Sequence, residues 1–188
     1  MSNEKWNWLG DHIAIDLANT VRRCGGQTRE LLEVTDDLAE WLHLERHRLP
    51  VPRHVDEVLL HEFIVLRNHC LDLLDAALAG TELPRQAVMW VNDIVASHPL
   101  PRILRSSTNR VETLPASSGD LRHDLKATLA AAIVDLLAAE DLYELAFCDA
   151  PSCGQFFHRR RPNQAWCCPA CGDRARTARY HKRKRKPR

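Results

Sequence analysis

Residues 148–174, CDAPSCGQFFHRRRPNQAWCCPACGDR, decide how the C-terminal part of this chain folds. Cys148 and Cys153 form one close pair, and, after thirteen or fourteen intervening residues, Cys167 or Cys168 forms a second with Cys171. Each pair lets one turn of backbone present two thiolates to the same ion, and the intervening loop closes a tetrahedron, as a four-cysteine zinc site requires. The only large core candidates between 148 and 172 are Phe156, Phe157 and Trp166. That is too little apolar surface to fold unaided, so a metal supplies the missing folding energy.

The spacing leaves one ligand open. Cys168-Pro169-Ala170-Cys171-Gly172 matches the CPxCG turn of a zinc ribbon and selects Cys168. Cys167-x3-Cys171 instead places two thiols one helical turn apart at the start of a helix. Either choice gives a closed, structural site for one zinc, with no coordination position left for substrate. His158 and His181 sit in basic runs, where contact with solvent or phosphate is the simpler expectation. Five of the seven cysteines fall in this segment, and no signal peptide or membrane-length apolar run is visible. A reducing, cytoplasmic setting with metal-bound cysteines is therefore expected, with Cys24 and Cys70 as separate free thiols.

Charge divides the chain sharply. Residues 158–188 carry twelve Lys/Arg and one acid, Asp173, for +11, whereas residues 1–157 carry fourteen Lys/Arg and twenty-four Asp/Glu, for −10. A basic arm on an acidic body suits a polyanionic partner for the arm alone. From Ala170 to about Lys184 the sequence is helix-compatible, and Arg176, Arg179 and Arg183 share a face at i, i+3, i+7. With Arg159 and Arg160 from the finger loop, and Arg174 and Lys182 from the helix, these residues form the candidate nucleic-acid footprint. Duplex DNA is the expected partner, because such a face can read guanine edges in a major groove or lie along phosphates. The competing reading is an RNA-binding or protein-interaction module with a purely structural zinc.

The body reads as mainly helical with a small β component, an α+β class. The alternation His12-Ile13-Ala14-Ile15-Asp16-Leu17 predicts a strand. Gly25-Gly26 predicts a turn, and Thr28 a cap for a helix running through Leu31, Leu38, Trp41 and Leu42. Residues 54–79 repeat apolar side chains every three to four positions, with Gly80 as C-cap. A helix from Pro84 to about Ala96, a hairpin over 102–116 around Ser106-Ser107-Thr108-Asn109, and a helix from Leu121 to about Ala139 follow. A short helix from about Asp141 then delivers the chain to Cys148. No GxSxG, HExxH or Gly-rich phosphate loop occurs, so no enzyme is expected. The polar residues that would serve a small-molecule effector are Asp16, Asn19 and Arg67.

These residues carry a family resemblance. Cys148-x4-Cys153-Gly154-Gln155-Phe156-Phe157, then Trp166-Cys167, then Cys171-Gly172-Asp173-Arg174 and an Arg-rich helix, resemble the CGNR zinc finger. Asp173 stands where that family carries Asn. An aromatic residue followed by Cys and a small residue is usual there, which places Cys167 as the ligand and Cys168 in the small-residue position. Leu9-Gly10-Asp11-His12-Ile13-Ala14-Ile15-Asp16-Leu17-Ala18-Asn19-Thr20-Val21 resembles the opening of the ABATE domain of stress-induced transcription regulators. The resemblance implies an ABATE-like body over 1–145 and a finger with basic tail over 146–188. It also implies a bacterial DNA-binding regulator whose body senses a ligand.

Overall fold

A computed structural model describes residues 5–107 and 110–184 and shows a mainly helical α+β protein in which all three sheets are two-stranded antiparallel hairpins. Thr108 and Asn109 of the expected turn, and Arg185, Lys186 and Arg188 of the basic tail, lie outside the described residues. No described helix is long and apolar enough to cross a membrane. The chain forms two compact units, Val34–Ala138 and, around it in sequence, residues up to Glu33 together with those from Ala139 onward. These units cut the chain at different places from the division at residue 145.

The first element is a correction. Residues 12–17 do not form a strand: Ile13–Ala18 is a short helix, α1, and the side chain of His12 accepts the Ala14 N–H at 3.3 Å. Ala14, Ile15, Asp16, Leu17 and Ala18 are all buried. Alternation marks a strand only when one face is solvated, and here a polar Asp16 is covered along with its apolar neighbours. The helix expected from Thr28 is also displaced. Gly25 and Gly26, at φ +60° and +78°, make a two-residue hairpin turn that folds Gln27–Glu30 (β2) back onto Val21–Cys24 (β1). Positive φ at both central residues is the requirement that selects Gly-Gly there.

The unit of residues 34–138 contains α2 (Thr35–Leu44), α3 (Glu57–Ala79), α4 (Arg85–Ser97), the hairpin β3–β4 (Arg102–Ser107 and Arg110–Pro115) and α5 (Leu121–Leu137). Asp56 caps α3 by accepting the Leu59 N–H at 2.9 Å, and Gly80 closes it at φ +64°, as the periodicity of 54–79 predicts. The Trp41 and Phe63 rings meet edge-on at 5.1 Å, and Leu38, Leu59, Leu66, Cys70, Leu74, Leu129 and Ile133 are fully buried. Arg122 clamps Asp56 at 2.5 Å and Lys126 reaches Glu62 at 3.0 Å, tying α5 to the first part of α3. Among the described residues the hairpin pairs with no third strand.

The second unit contains α1, β1–β2, a single 3-10 turn (Leu142–Glu144), β5 (Leu145–Cys148), β6 (Gln155–His158) and α6 (Pro169–Lys184). β5 and β6 pair from Leu145↔His158 to Cys148↔Gln155, with Cys148 ending β5 and Cys153 on the turn that leads into β6.

Candidate metal centre and nucleic-acid interface

The first knuckle is set by backbone hydrogen bonds: Cys153 N–H to the Ala150 carbonyl and Gly154 N–H to the Cys148 carbonyl, each 3.0 Å. Gly154 sits at φ +71°, and a Cβ there would lie 2.2 Å from the Arg23 carbonyl oxygen. Only glycine lets β1 approach this turn so closely, and the Arg23 N–H bonds the Gly154 carbonyl at 3.4 Å. The second pair lies at the start of α6. Pro169 opens the helix, where its missing N–H costs nothing, and the Cys168 carbonyl accepts from Cys171 N–H (3.1 Å) and Gly172 N–H (3.3 Å). The positive end of the helix dipole thus faces the thiols of Cys167 and Cys171.

The Sγ atoms of Cys148, Cys153, Cys167 and Cys171 all lie within 4.8 Å of one another. Cys153–Cys167 is 3.6 Å and Cys167–Cys171 is 3.4 Å. Zn–S bonds of about 2.3 Å in a tetrahedron put sulfurs about 3.8 Å apart, so the cluster needs little adjustment to hold the ion. Cys168 Sγ stands 3.5 Å from Cys171 Sγ, beside the group of four. Cys148, Cys153 and Cys171 are buried with Ala146, Ala150 and Phe157, and Leu9 and Trp166 pack against them.

The thiols share hydrogen bonds and shift one another. Hydrogen bonds from Cys153 and Cys167 draw the Cys148 thiol down to about 2. The contact with Cys148 pushes Cys153 up, contacts with Cys148 and Cys153 push Cys167 up, and burial pushes Cys171 up. With four cysteines at this spacing, the chain carries one structural zinc site.

Sequence reasoning did not single out Gln155 or Arg22 beside the cysteines, and it gave Arg174 a nucleic-acid role only. Arg174 donates from Nη2 to Cys171 Sγ at 2.9 Å and from Nε to the Pro151 carbonyl at 3.1 Å, tying the helix to the first knuckle. Gln155 Oε1 lies 3.7 Å from Cys153 Sγ and 4.0 Å from Cys167 Sγ. Arg22 donates to the Trp6 carbonyl. Burial draws the Arg22 guanidinium down to about 10, while Cys153, Cys167, Asp16 and Cys171 push it back up, so a cation stands near the sulfurs at neutral pH. The clue available in the sequence was position: Gln155 and Arg174 each lie within three residues of a cysteine.

Asn19 lies in the same unit. Its amide donates to the Phe156 carbonyl at 2.9 Å and accepts the Phe156 N–H at 2.8 Å, so this side chain extends the edge of β6 as a strand would. Asp16 is buried in α1, and Arg67 is a buried residue of α3 in the other unit, with Nε donating to Asn68 at 3.1 Å. Asp11 accepts the His158 backbone N–H at 2.9 Å and faces its imidazole at 3.4 Å. Burial opposes ionisation of Asp11, but hydrogen bonds from the His158 side chain and from the His158 and His12 backbones outweigh it and hold the carboxyl below its usual range. The same Asp11 contact outweighs burial at His158 and raises the imidazole above its ordinary value.

Helix α6 is anchored by buried Cys171, Gly172 and Ala175, and from Arg176 to Lys184 every residue is exposed. Arg176, Arg179, Lys182 and Arg183 lie on this projecting segment, and Arg159 and Arg160 are exposed in the finger loop. Arg176 pairs with Asp173 across one turn, with both side chains largely in solvent, so the pair adds little and is easily exchanged. Tyr180 does not pack on the finger; it is 54% exposed, with the Lys184 ammonium 4.8 Å from its ring centre.

Two family models match the chain. Residues 11–140 match ABATE, described as "putative stress-induced transcription regulator", and residues 145–184 match the CGNR zinc finger. The chain belongs to the ABATE family and carries a C-terminal CGNR zinc finger. Both are regulatory or zinc-finger families, not enzymatic ones. No curated protein matches the chain.

Proposed function

We propose that this ABATE–CGNR chain is a DNA-binding transcription regulator. Cys148, Cys153, Cys167 and Cys171 would hold a zinc that cross-links the β5–β6 knuckle to the start of α6. The observation that carries the reading is the projecting segment Arg176–Lys184, fully exposed and strongly basic, launched from the cysteine cluster. At 1.5 Å per residue this segment is about 13 Å long, enough to cross a major groove about 12 Å wide. Arg176, Arg179, Lys182 and Arg183 contact the duplex, with Arg159 and Arg160 on flanking phosphates. Arg174 holds the helix in its orientation and contributes charge from behind the cysteines.

In this reading zinc makes a closed cross-link that fixes the direction in which α6 leaves the finger. The chain's own residues provide the rest: Arg174 ties the start of α6 to the first knuckle, Asn19 holds α1 on β6, and the exposed cations bind phosphate. Asp173 in place of Asn pairs with Arg176, so an anion near the groove is already matched by a cation. Small-molecule sensing by the helical unit belongs to the same proposal, with Arg67 as the residue to test.

The test is duplex-DNA binding by zinc-loaded protein over a salt series. Roughly six phosphate contacts predict a log–log slope near −5. The double variant Arg176→Ala/Arg179→Ala is expected to flatten that slope by about 2 and to weaken binding at least tenfold at moderate salt. Zinc-loaded protein with no affinity for duplex at low salt overturns the proposal. Preference for a single-stranded RNA over the duplex would favour the RNA-binding alternative.

A further inference from the structure

We propose that a cleft beside the zinc site binds a small planar aromatic anion of the mononucleotide class. The cleft lies wholly within the finger unit, between the N-terminal segment at Trp8 and the loop that ends at Trp166. Its volume is about 920 Å³, at the upper end of the range typical of small-molecule sites. Two indoles, Trp8 and Trp166, and three guanidinium-bearing residues, Arg160, Arg161 and Arg176, line it.

Glycines make room for these groups. Gly10 stands at φ +61°, and a Cβ there would lie 3.1 Å from Cη2 of Trp8, so the indole is folded back over a bare backbone position. A Cβ on Gly172 would lie 3.3 Å from Cδ1 of Trp166 and 3.4 Å from Nη1 of Arg176, which sets an aromatic edge and a guanidinium side by side over one glycine. The acid lining the cleft, Asp11, is matched by His158, and Arg176 is paired with Asp173, so Arg160 and Arg161 leave the cleft cationic.

That combination selects its ligand. Indole faces favour a flat aromatic ring, by offset stacking. Guanidinium groups favour a phosphate or carboxylate, which they grip with paired N–H donors. A bare phosphate would make no use of the indoles, and an uncharged ring would make no use of Arg160 and Arg161. A base-paired duplex offers no open base face, so a free nucleotide fits the cleft better. Because Arg160 and Arg176 also belong to the proposed DNA footprint, ligand and duplex would compete. That consequence alone rests on the DNA-binding reading.

The experiment is titration of the zinc-loaded full chain with AMP, followed by calorimetry and tryptophan fluorescence, with adenosine and inorganic phosphate as half-ligand probes. Saturable binding of AMP is expected, with adenosine and phosphate each at least tenfold weaker. Trp8→Ala should weaken AMP roughly tenfold, the loss expected of one stacking platform, and Arg161→Ala by a similar factor, with zinc content unchanged in both. No saturable binding of AMP, GMP, CMP or UMP overturns the proposal, as does AMP binding that neither substitution alters. Binding of an oligonucleotide strand through Trp8 without binding of any mononucleotide also overturns it. AMP is further expected to raise the Kd for duplex DNA. If the chain binds AMP but no duplex, the cleft stands and the DNA reading falls.

Discussion

Replacing Asn19 by Ala tests whether the N-terminal segment is a working part of the finger. The Asn19 amide satisfies both the N–H and the carbonyl of Phe156, at 2.8 and 2.9 Å, and both residues are buried. Alanine leaves that donor and that acceptor without a partner in a site closed to water. Each such orphan costs about 1–3 kcal/mol, so the substitution should destabilise the finger unit by about 2–6 kcal/mol. That is a large share of the roughly 5–15 kcal/mol that holds a typical domain folded. Because zinc binding and finger folding are one equilibrium, zinc affinity should fall with it. The assay is denaturant unfolding of zinc-loaded protein, with amide exchange read at Phe156 and metal retention read by competition with a chelator. A shift under about 0.5 kcal/mol, with Phe156 still protected, would refute the structural role and return Asn19 to the set of ligand-contact residues.

Three further outcomes follow from the same unit. Gly154→Ala must place a methyl 2.2 Å from the Arg23 carbonyl at φ +71°, so β1 has to separate from the knuckle, and thermal unfolding should show a loss of at least about 2 kcal/mol. The Asp11–His158 pair should give a pH signature. The lowered Asp11 contributes stability above its unfolded value near pH 4 and loses it as pH falls through the lower folded value; the raised His158 contributes fully below about pH 6.5 and loses it as pH rises through the higher folded value. The stability advantage of wild type over Asp11→Asn should therefore shrink as pH rises above about 6.5 in matched melts, and a constant difference would sink the pairing argument. Chelation of zinc should expose the buried rings Phe156 and Phe157 and abolish cooperative melting of the finger unit, while the Trp41–Phe63 core of the helical unit, read by near-UV circular dichroism, persists.

What was legible in the sequence depended on how local the determining physics was. The helix ending at Gly80, the α6 helix and the cluster of cysteines were readable because caps, 3.6-residue periodicity and ligand spacing act within a few residues. Residues 12–17 misled because their alternation is real but both faces are covered. The residue spacing alone did not choose between Cys167 and Cys168; the fold does bring Cys167 into the group of four and leaves Cys168 at its side. Contacts such as Asn19–Phe156, Arg23–Gly154 and Arg174–Cys171 were not legible, since two of them join residues more than 130 positions apart and the third needs a helix already docked.

Those long-range contacts explain why the N-terminal segment belongs with the cysteines. Phe147, Phe156 and Phe157 are more apolar surface than a two-stranded hairpin can hide, and a hairpin alone is marginal in water. Helix α1 docks on β6, Asn19 completes its edge, and the Arg23 guanidinium lies 5.5 and 5.2 Å from the Phe147 and Phe156 ring centres. The ABATE match begins at residue 11 and the finger match at 145, yet residues 11–33 build the same compact unit as the finger. The chain leaves that unit after Glu33 and re-enters it at Ala139, with the whole helical unit between. A finger excised at residue 145 would lose the partners of Phe156, Gly154 and His158 together. Such a fragment is expected to bind zinc more weakly than the full chain, and equal affinity in a competition assay would show that the cysteines alone suffice.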